Sequence, residues 1–289
     1  MRSAPYPVDV DRYFARIGYA GPRSPDLATL GRIVARHAAS IPFEAIDVLL
    51  GRPIELSPAA IDTKLIDRRR GGYCFEQNSL LQRVLRTLGY RVEPLMARVL
   101  WMREPDGPPP AWSHMALRVF VGGVGYLADV GFGSCVPTGP LRFDRTTPQP
   151  TPHEPFRVNR TLEGFLLDAQ LGRDWVPVYE VSPAVCGEEA FRVANIATST
   201  HPQSLFRQNL LVALTTEEAR KVLFGNRLTI RDRNGTVTRQ DLDAPAIERA
   251  LTGVFGLPFR TIGAVSSPAS AVPWCRTDAA SIGASSHIP

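Results

Sequence analysis

The sequence predicts an α+β fold in which helices come first and antiparallel strands follow. Three observations carry this. Apolar residues recur at helical spacing from residue 9 to residue 87. From Tyr90 onward the pattern changes to short alternating runs separated by turn residues, as in an antiparallel sheet or barrel. Asn234-Gly235 then stands between two such runs, a strong hairpin signal.

The elements follow in order. "DVDRYFARIGY" (9–19) has helical spacing. "SPDLATLGRIVARHAA" (24–39) and "SPAAIDTKLI" (57–66) each open with a serine cap and a proline in the first turn. "CFEQNSLLQRVLRTLGY" (74–90) puts Leu80, Leu81, Val84, Leu85 and Leu88 on one face and ends at Gly89, a good C-terminal residue. "RVEPLMARVLW" alternates as a strand does, and "EPDGPPPAW" is a proline-rich loop. "SHMALRVFV", "GYLADVGF", "FRVN", "GFLLDAQL" and "WVPVYEVS" read as short strands, and "PAVCGEEAFRVANIA" (183–197) as a helix. "QNLLVALTT", "RLTIRD" and "TVTRQDL" return to strand, and "APAIERALTGVFG" is a closing helix. "TTEEARKVLFGN" (215–226) fits helix and strand equally. The segment after residue 263 is rich in Ala, Ser and Pro and is expected to be flexible. No internal repeat is present.

Composition narrows the function. The 289 residues are 44% hydrophobic and 21% charged, ordinary for a globular chain of one large domain or a few small ones. A net charge of +5 is too small to argue for nucleic acid, and no basic-aromatic repeat supports one. No run of 18 apolar residues predicts a membrane span, and the N-terminus lacks the apolar core of a signal peptide, so the cytoplasm is expected. Cys74, Cys135, Cys186 and Cys275 are far apart without a CxxC pair, which argues against zinc and leaves four thiols in a reducing compartment.

Among these thiols Cys74 is distinctive. It follows Gly71-Gly72 and begins an amphipathic helix. A helix start carries unpaired N–H groups and partial positive charge, which stabilise a thiolate, and glycines allow a sharp turn there. The bland reading is a small buried apolar residue, the commoner fate of free cysteine. A nucleophile also needs a base, and the base an orienting group. Of five histidines, His37 lies in a helix as an ordinary surface residue, His153 in a proline-rich loop and His287 in the tail. His114 opens a strand, and Asp129 lies in the next.

The hairpin between them can be drawn in two registers. A Gly122-Gly123 loop pairs 116 with 129, and a four-residue loop pairs 118 with 129. In both, His114 and Asp129 share a face, offset by roughly 7 to 13 Å. Only the shorter offset allows a diagonal carboxylate–imidazole contact. Two further patterns are set aside. "GVGYLA" imitates a dinucleotide fingerprint but leads into a strand instead of a helix. Arg68-Arg69-Arg70 reads as a solvated face, with one arginine free to pair with Glu44 or Glu76.

"RGGYCFEQN" (70–78) matches R-G-G-x-C-x-E-x-N, and "SHMALRV" and "YLADVGFG" follow in the order Cys, His, Asp. With "IPFEAID" (41–47) and "HPQSLF" (201–206), the chain resembles the arylamine N-acetyltransferases over about residues 5–260. The resemblance implies a helical bundle over 1–89 carrying Cys74 and a central antiparallel β-barrel over 90–182 carrying His114 and Asp129. A helical connector over 183–208 and a C-terminal α/β lid over 209–262 would follow, with 263–289 as tail. The triad arrangement would be like that of the cysteine proteases.

It also implies a ping-pong acetyl transfer of the kind used in xenobiotic metabolism. Acetyl-CoA would acylate Cys74, and an arylamine, hydrazine or hydroxylamine would take the acetyl group. His114 would share a proton with Cys74, and Asp129 would fix the imidazole. Phe43, Val99, Phe132 and Phe206 would line the acceptor pocket. The resemblance names no residues for CoA and implies no metal, nucleic acid or membrane partner. Two other activities suit the same residues. Amide synthases that close antibiotic macrocycles resemble this family, and a transglutaminase-like or protease-like hydrolase would also use Cys, His and Asp.

Overall fold

The computed structural model describes residues 7–103 and 107–258, so the expected tail lies outside the described residues. The helical part begins with α1 (Val10–Ile17), capped by the Asp9 side chain and ended by Gly18 at φ +62°. Helix α2 (Leu27–Ser40) is capped by Asp26 instead of Ser24, because Asp26 accepts from the Thr29 N–H at 2.7 Å. Ser24 instead donates its hydroxyl to the Asp26 carboxylate.

The short strand β1 (Phe43–Glu44) and helix α3 (Ile46–Leu49) follow. Helix α4 (Pro58–Asp62) has the expected Ser57 cap and Pro58 in its first turn, and runs into a π-helical turn at Thr63–Asp67. Helix α5 (Cys74–Thr87) buries Leu80, Leu81, Val84 and Leu85, and Gly89 takes φ +91° after it. These apolar faces meet in one core beneath the barrel.

Seven antiparallel strands come next: β2 (Arg91–Val99), β3 (Trp112–Val121), β4 (Val124–Ala128), β5 (Leu141–Arg142), β6 (Phe156–Arg160), β7 (Phe165–Leu171) and β8 (Asp174–Val185). Their order, β5-β4-β3-β2-β8-β7-β6, brings the two edge strands β5 and β6 together, so the sheet nearly closes into a barrel. Strand β8 runs on to Val185. Pro183–Val185, read from sequence as the start of a helix, is therefore strand, and Leu95 of β2 pairs with Val185.

Helices α6 (Glu188–Thr200) and α7 (Leu205–Gln208) lead to strands β9 (Leu211–Thr215), β10 (Ala219–Phe224), β11 (Arg227–Asp232) and β12 (Val237–Asp241), then to helix α8 (Ala244–Gly253). The ambiguous 215–226 segment resolves as the end of β9 and as β10, because β9 and β11 flank β10 and bury Ala219 and Leu223. Asn234-Gly235 turns β11 into β12, with Gly235 at φ +86°. Sheet order is β1-β9-β10-β11-β12, so the helical part contributes the edge strand of this second sheet. Glu154, just before β6, joins the two sheets through Arg220 and Arg231.

His37 is not a surface residue. It is fully buried, with the Tyr13 hydroxyl 2.9 Å from Nδ1 and Gln77 Oε1 2.9 Å from Nε2. Burial pushes its pKa down to about 3, against the pull of the Gln77 bond and with help from the Arg16 charge. The unfolded chain takes up this proton near pH 6.5, so the contribution is complete above that value and shrinks as pH falls toward 3. Urea unfolding at pH 7.5, 6.5 and 5.5 should lose up to about 1.4 kcal/mol per pH unit from this residue below pH 6.5. His37→Gln should flatten that slope, and an unchanged slope in the variant would assign it elsewhere.

Candidate active site

The turn before Cys74 is built on β1. Gly72 N–H donates to the Pro42 carbonyl, and the Glu44 N–H donates to the Gly72 carbonyl at 3.0 Å. A Cβ on Gly71 would overlap the Pro42 oxygen, and one on Gly72 would stand 2.8 Å from Glu76 Oε2, so this approach needs both glycines. Glu76 reaches back to the Tyr73 N–H at 3.0 Å and so satisfies a donor just ahead of the helix.

Of the three arginines read as solvated, Arg70 is buried. It binds Glu44 at 2.7 Å and Asp47 at 2.9 Å. Glu76 is held by Lys64 instead, at 2.8 Å, and Lys64 also reaches Asp47 at 2.9 Å. Burial works against the ammonium, but the three surrounding carboxylates raise the Lys64 pKa above its ordinary range. A charged frame thus fixes the turn from behind.

Three expected residues meet in front of it. Strands β3 and β4 take the shorter register, with Val121 opposite Val124 and Leu117 opposite Ala128. Strand β4 ends at Ala128, so Asp129 sits at the start of the following loop and not within the strand. That position turns its carboxylate toward His114, whose Nε2 lies 2.7 Å from Oδ2. With Nε2 occupied by Asp129, the His114 imidazole lies close enough to Cys74 for the sulfur to favour its charged form. The Cys74 Sγ also lies 3.8 Å from the Ser113 carbonyl oxygen.

All three residues are buried, Asp129 completely. Burial alone would oppose the imidazolium, but the Asp129 charge and bond, with the Cys74 contact, raise His114 to about 10. Burial alone would likewise raise Asp129. Its bonds to His114, to the Asn78 amide at 2.8 Å and to the Gly131 N–H at 2.8 Å hold it below the usual carboxylate range. The arrangement can keep a proton on the imidazole beside a sulfur, which is what a thiolate nucleophile needs.

Two contributors were missed from sequence. Asn78 stands one helical turn after Cys74, donates to the Met115 carbonyl at 2.7 Å and to Asp129, and accepts from the Val130 N–H. Its spacing from Cys74 was the available signal. Tyr179 packs against His114 with ring centroids 5.0 Å apart; its hydroxyl is buried without a hydrogen-bond partner among the described residues, and burial and the nearby Asp129 charge push its pKa up. No sequence pattern near Tyr179 points to the site.

The expected lining residues fall into two groups. Phe132 meets His114 edge to face at 5.4 Å and also touches Tyr179 and Trp101. Val99 is paired with Tyr179 at the end of β2. Phe43 packs on Phe206 at 5.9 Å, and Phe206 packs on Tyr73. Gly133, the residue after Phe132, lies against Phe43, which places the two groups side by side. Among the described residues, no cluster of His, Cys, Asp and Glu could hold a metal ion, and no helix is long and apolar enough to cross a membrane.

A family model described as N-acetyltransferase matches residues 26–262. The arylamine N-acetyltransferase of Mycobacterium tuberculosis is 42% identical over 259 residues, covering 89% of this chain and 92% of that protein. The chain belongs to the arylamine N-acetyltransferase family. It is a transferase, and its α+β architecture is the family's. The solved structure of arylamine N-acetyltransferase from M. tuberculosis has a TM-score of 0.87 at 41% identity, covering 92% of this chain and 99% of that one. That of Mycobacterium marinum arylamine N-acetyltransferase in complex with CoA has a TM-score of 0.85 at 40% identity, covering 88% and 95%.

The closeness of the Asp129 loop to the helix yields a test. A Cβ on Gly131 would stand 2.7 Å from Cys74 Cα and 2.9 Å from Asn78 Nδ2. Gly131→Ala should therefore cost about 1–3 kcal/mol by overpacking. Thermal unfolding checks this, and an unshifted midpoint would mean that the loop moves freely away from the helix.

Proposed function

We propose that the chain transfers an acetyl group from acetyl-CoA to the nitrogen of an arylamine or arylhydrazine, or to the oxygen of an arylhydroxylamine, through an acetyl thioester on Cys74. The observation that carries this is the buried string of Cys74 sulfur, His114 imidazole and Asp129 carboxylate at a helix start beside aromatic walls. CoA binding by the M. marinum relative supports the donor.

The chemistry then runs in two halves. His114 holds the proton of Cys74, and the Cys74 sulfur forms a bond to the acetyl carbonyl carbon of the donor. The carbon–sulfur bond to CoA breaks, and the departing CoA sulfur takes the proton from His114. In the second half the acceptor amine attacks acetyl-Cys74 while neutral His114 takes one amine proton. The bond to Cys74 breaks, leaving the acetylated amine and restoring the sulfur–imidazolium pair. Asp129 holds Nε2–H throughout, so the imidazole stays beside the sulfur. Phe43, Phe132 and Phe206, with Val99, offer apolar walls that favour an aromatic acceptor over water. Thioester exchange onto a thiol replaces one carbon–sulfur bond with another and is close to thermoneutral, which leaves the protein to aim the sulfur at the carbonyl.

Intact mass after mixing with acetyl-CoA and no acceptor should show one added acetyl group, mapped to Cys74 and absent in Cys74→Ser. An adduct on Cys135, Cys186 or Cys275 instead would overturn the assignment. A protein that takes no acetyl group but is acylated by a longer carrier-bound acyl thioester would instead be an amide synthase.

Iodoacetamide should alkylate Cys74 rapidly at about pH 7, because His114 stands beside the sulfur to hold its proton. In His114→Ala alkylation should slow, and equal rates in the two folded proteins would refute the pairing. Asp129→Asn, checked for a native circular dichroism spectrum, should lose roughly 10² to 10³-fold in turnover, in line with general-base contributions. Near-full turnover in the folded variant would remove Asp129 from the mechanism.

A further inference from the structure

The proposed reaction uses one buried histidine. A second, His37, lies against Gln77 of α5 and has no part in it. Its bonds have a single direction. Gln77 Oε1 faces Nε2 at 2.9 Å, so Nε2 carries the hydrogen. Nδ1 must then accept, and the Tyr13 hydroxyl donates to it at 2.9 Å. The Gln77 amide nitrogen is left to donate to the Gly72 carbonyl at 2.9 Å and to the Pro42 carbonyl at 3.2 Å. Tyr13, His37 and Gln77 are each fully buried.

The chain of donors therefore begins on α1, crosses α2 and ends on the backbone two residues before Cys74. Gln77 itself stands three residues after Cys74, on the first turn of the same helix. One side chain thus ties both flanks of the cysteine to the Pro42–Glu44 segment. The charged frame of Arg70 and Lys64 holds side chains around this turn. Only Gln77 reaches the Gly72 carbonyl with a side-chain donor among the described residues. An apolar residue of Gln77's length would fill the same space without fixing that carbonyl.

We infer that Tyr13, His37 and Gln77 form a positioning relay for the nucleophile, setting the Gly72-Tyr73-Cys74 turn so that the sulfur points at the donor carbonyl. The inference rests on Cys74 as the acylated residue. None of the three touches substrate. They act through the backbone, so the relay governs the rate of attack by the sulfur and leaves donor binding alone.

Four variants test it: Gln77→Met and His37→Phe break the relay, and Tyr13→Phe removes only its first donor. His37→Gln can keep it, with an amide that accepts from Tyr13 and donates to Gln77. Each is checked by circular dichroism, then assayed for the rate of Cys74 alkylation by iodoacetamide and for single-turnover acetylation across an acetyl-CoA series. Gln77→Met and His37→Phe should lose about tenfold in both rates at saturating donor, part of what a misplacement of about 1 Å can cost. Half-saturation by acetyl-CoA should not move. Tyr13→Phe should show a smaller loss, and His37→Gln should keep rates near wild type.

Wild-type rates in folded Gln77→Met and His37→Phe would overturn the relay. If those two do not fold, the milder pair decides, and a wild-type rate in Tyr13→Phe would overturn it. A shift in half-saturation without a change in saturating rate would also overturn it. Failure of the acyl-enzyme assignment itself is read separately, as acetylation persisting in Cys74→Ser.

Discussion

The site depends on one fully buried carboxylate. Asp129 has no contact with solvent, and a bare charge there would be too costly to keep. It is tolerated because donors from three separate parts of the chain converge on it: His114 from β3, Asn78 from α5 and the backbone N–H of Gly131 from its own loop. Each donor fixes something else in return. His114 is held by Nε2 beside Cys74. Asn78 locks α5 against β3. Gly131 brings the loop so close to Cys74 that a side chain there has no room. Satisfying a single charge therefore assembles the sulfur, the imidazole and the barrel edge in one place.

The motif around the cysteine is as much a folding unit as a chemical one. Arg70 neutralises Glu44 and Asp47, and Gly71 and Gly72 let the backbone close on Pro42. Glu76 covers the Tyr73 N–H and is itself balanced by Lys64, while Asn78 reaches Asp129. From Arg70 to Asn78, the contacts of Arg70, Gly71, Gly72, Glu76, Gln77 and Asn78 fix the backbone on both sides of Cys74. Buried ion pairs add little net stability over apolar packing, yet they tolerate few alternative geometries, which suits a turn that must aim one atom.

The second sheet depends on the same segment. Phe43 and Glu44 pair with Ala213 and Val212, so the strand that carries the Gly72–Cys74 turn on one side carries β9 on the other. Phe43 meets Phe206 there, and Phe132 approaches from the barrel through Gly133. The aromatic walls beside Cys74 are thus drawn from the helical part, the barrel and the segment before β9. Displacing β1 would disturb the sulfur and the walls together.

Local periodicity by itself determined most of the order of helices and strands, narrowed the β3–β4 hairpin to two registers and put His114 and Asp129 on a shared face in both, because each follows from spacing along a few neighbouring residues; the packed strands chose the register. It also singled out Cys74, whose glycines and helix start lie within one short stretch. Only the tertiary structure decided the rest. His37 reads as a surface residue until α1 and α5 pack over it, and which of Arg68, Arg69 and Arg70 leaves the solvated face to pair with Glu44 is decided only when Glu44 and Asp47 arrive from more than twenty residues away. The 215–226 segment fits helix as well as strand until β9 and β11 flank it. Tyr179 carries no local sign of its place beside Asp129, since β8 reaches β2 only when the barrel forms. In each case the deciding partner is distant in sequence, and burial, which sets the charge and direction of every polar group in the site, is a property of the packed molecule and not of any stretch of the chain.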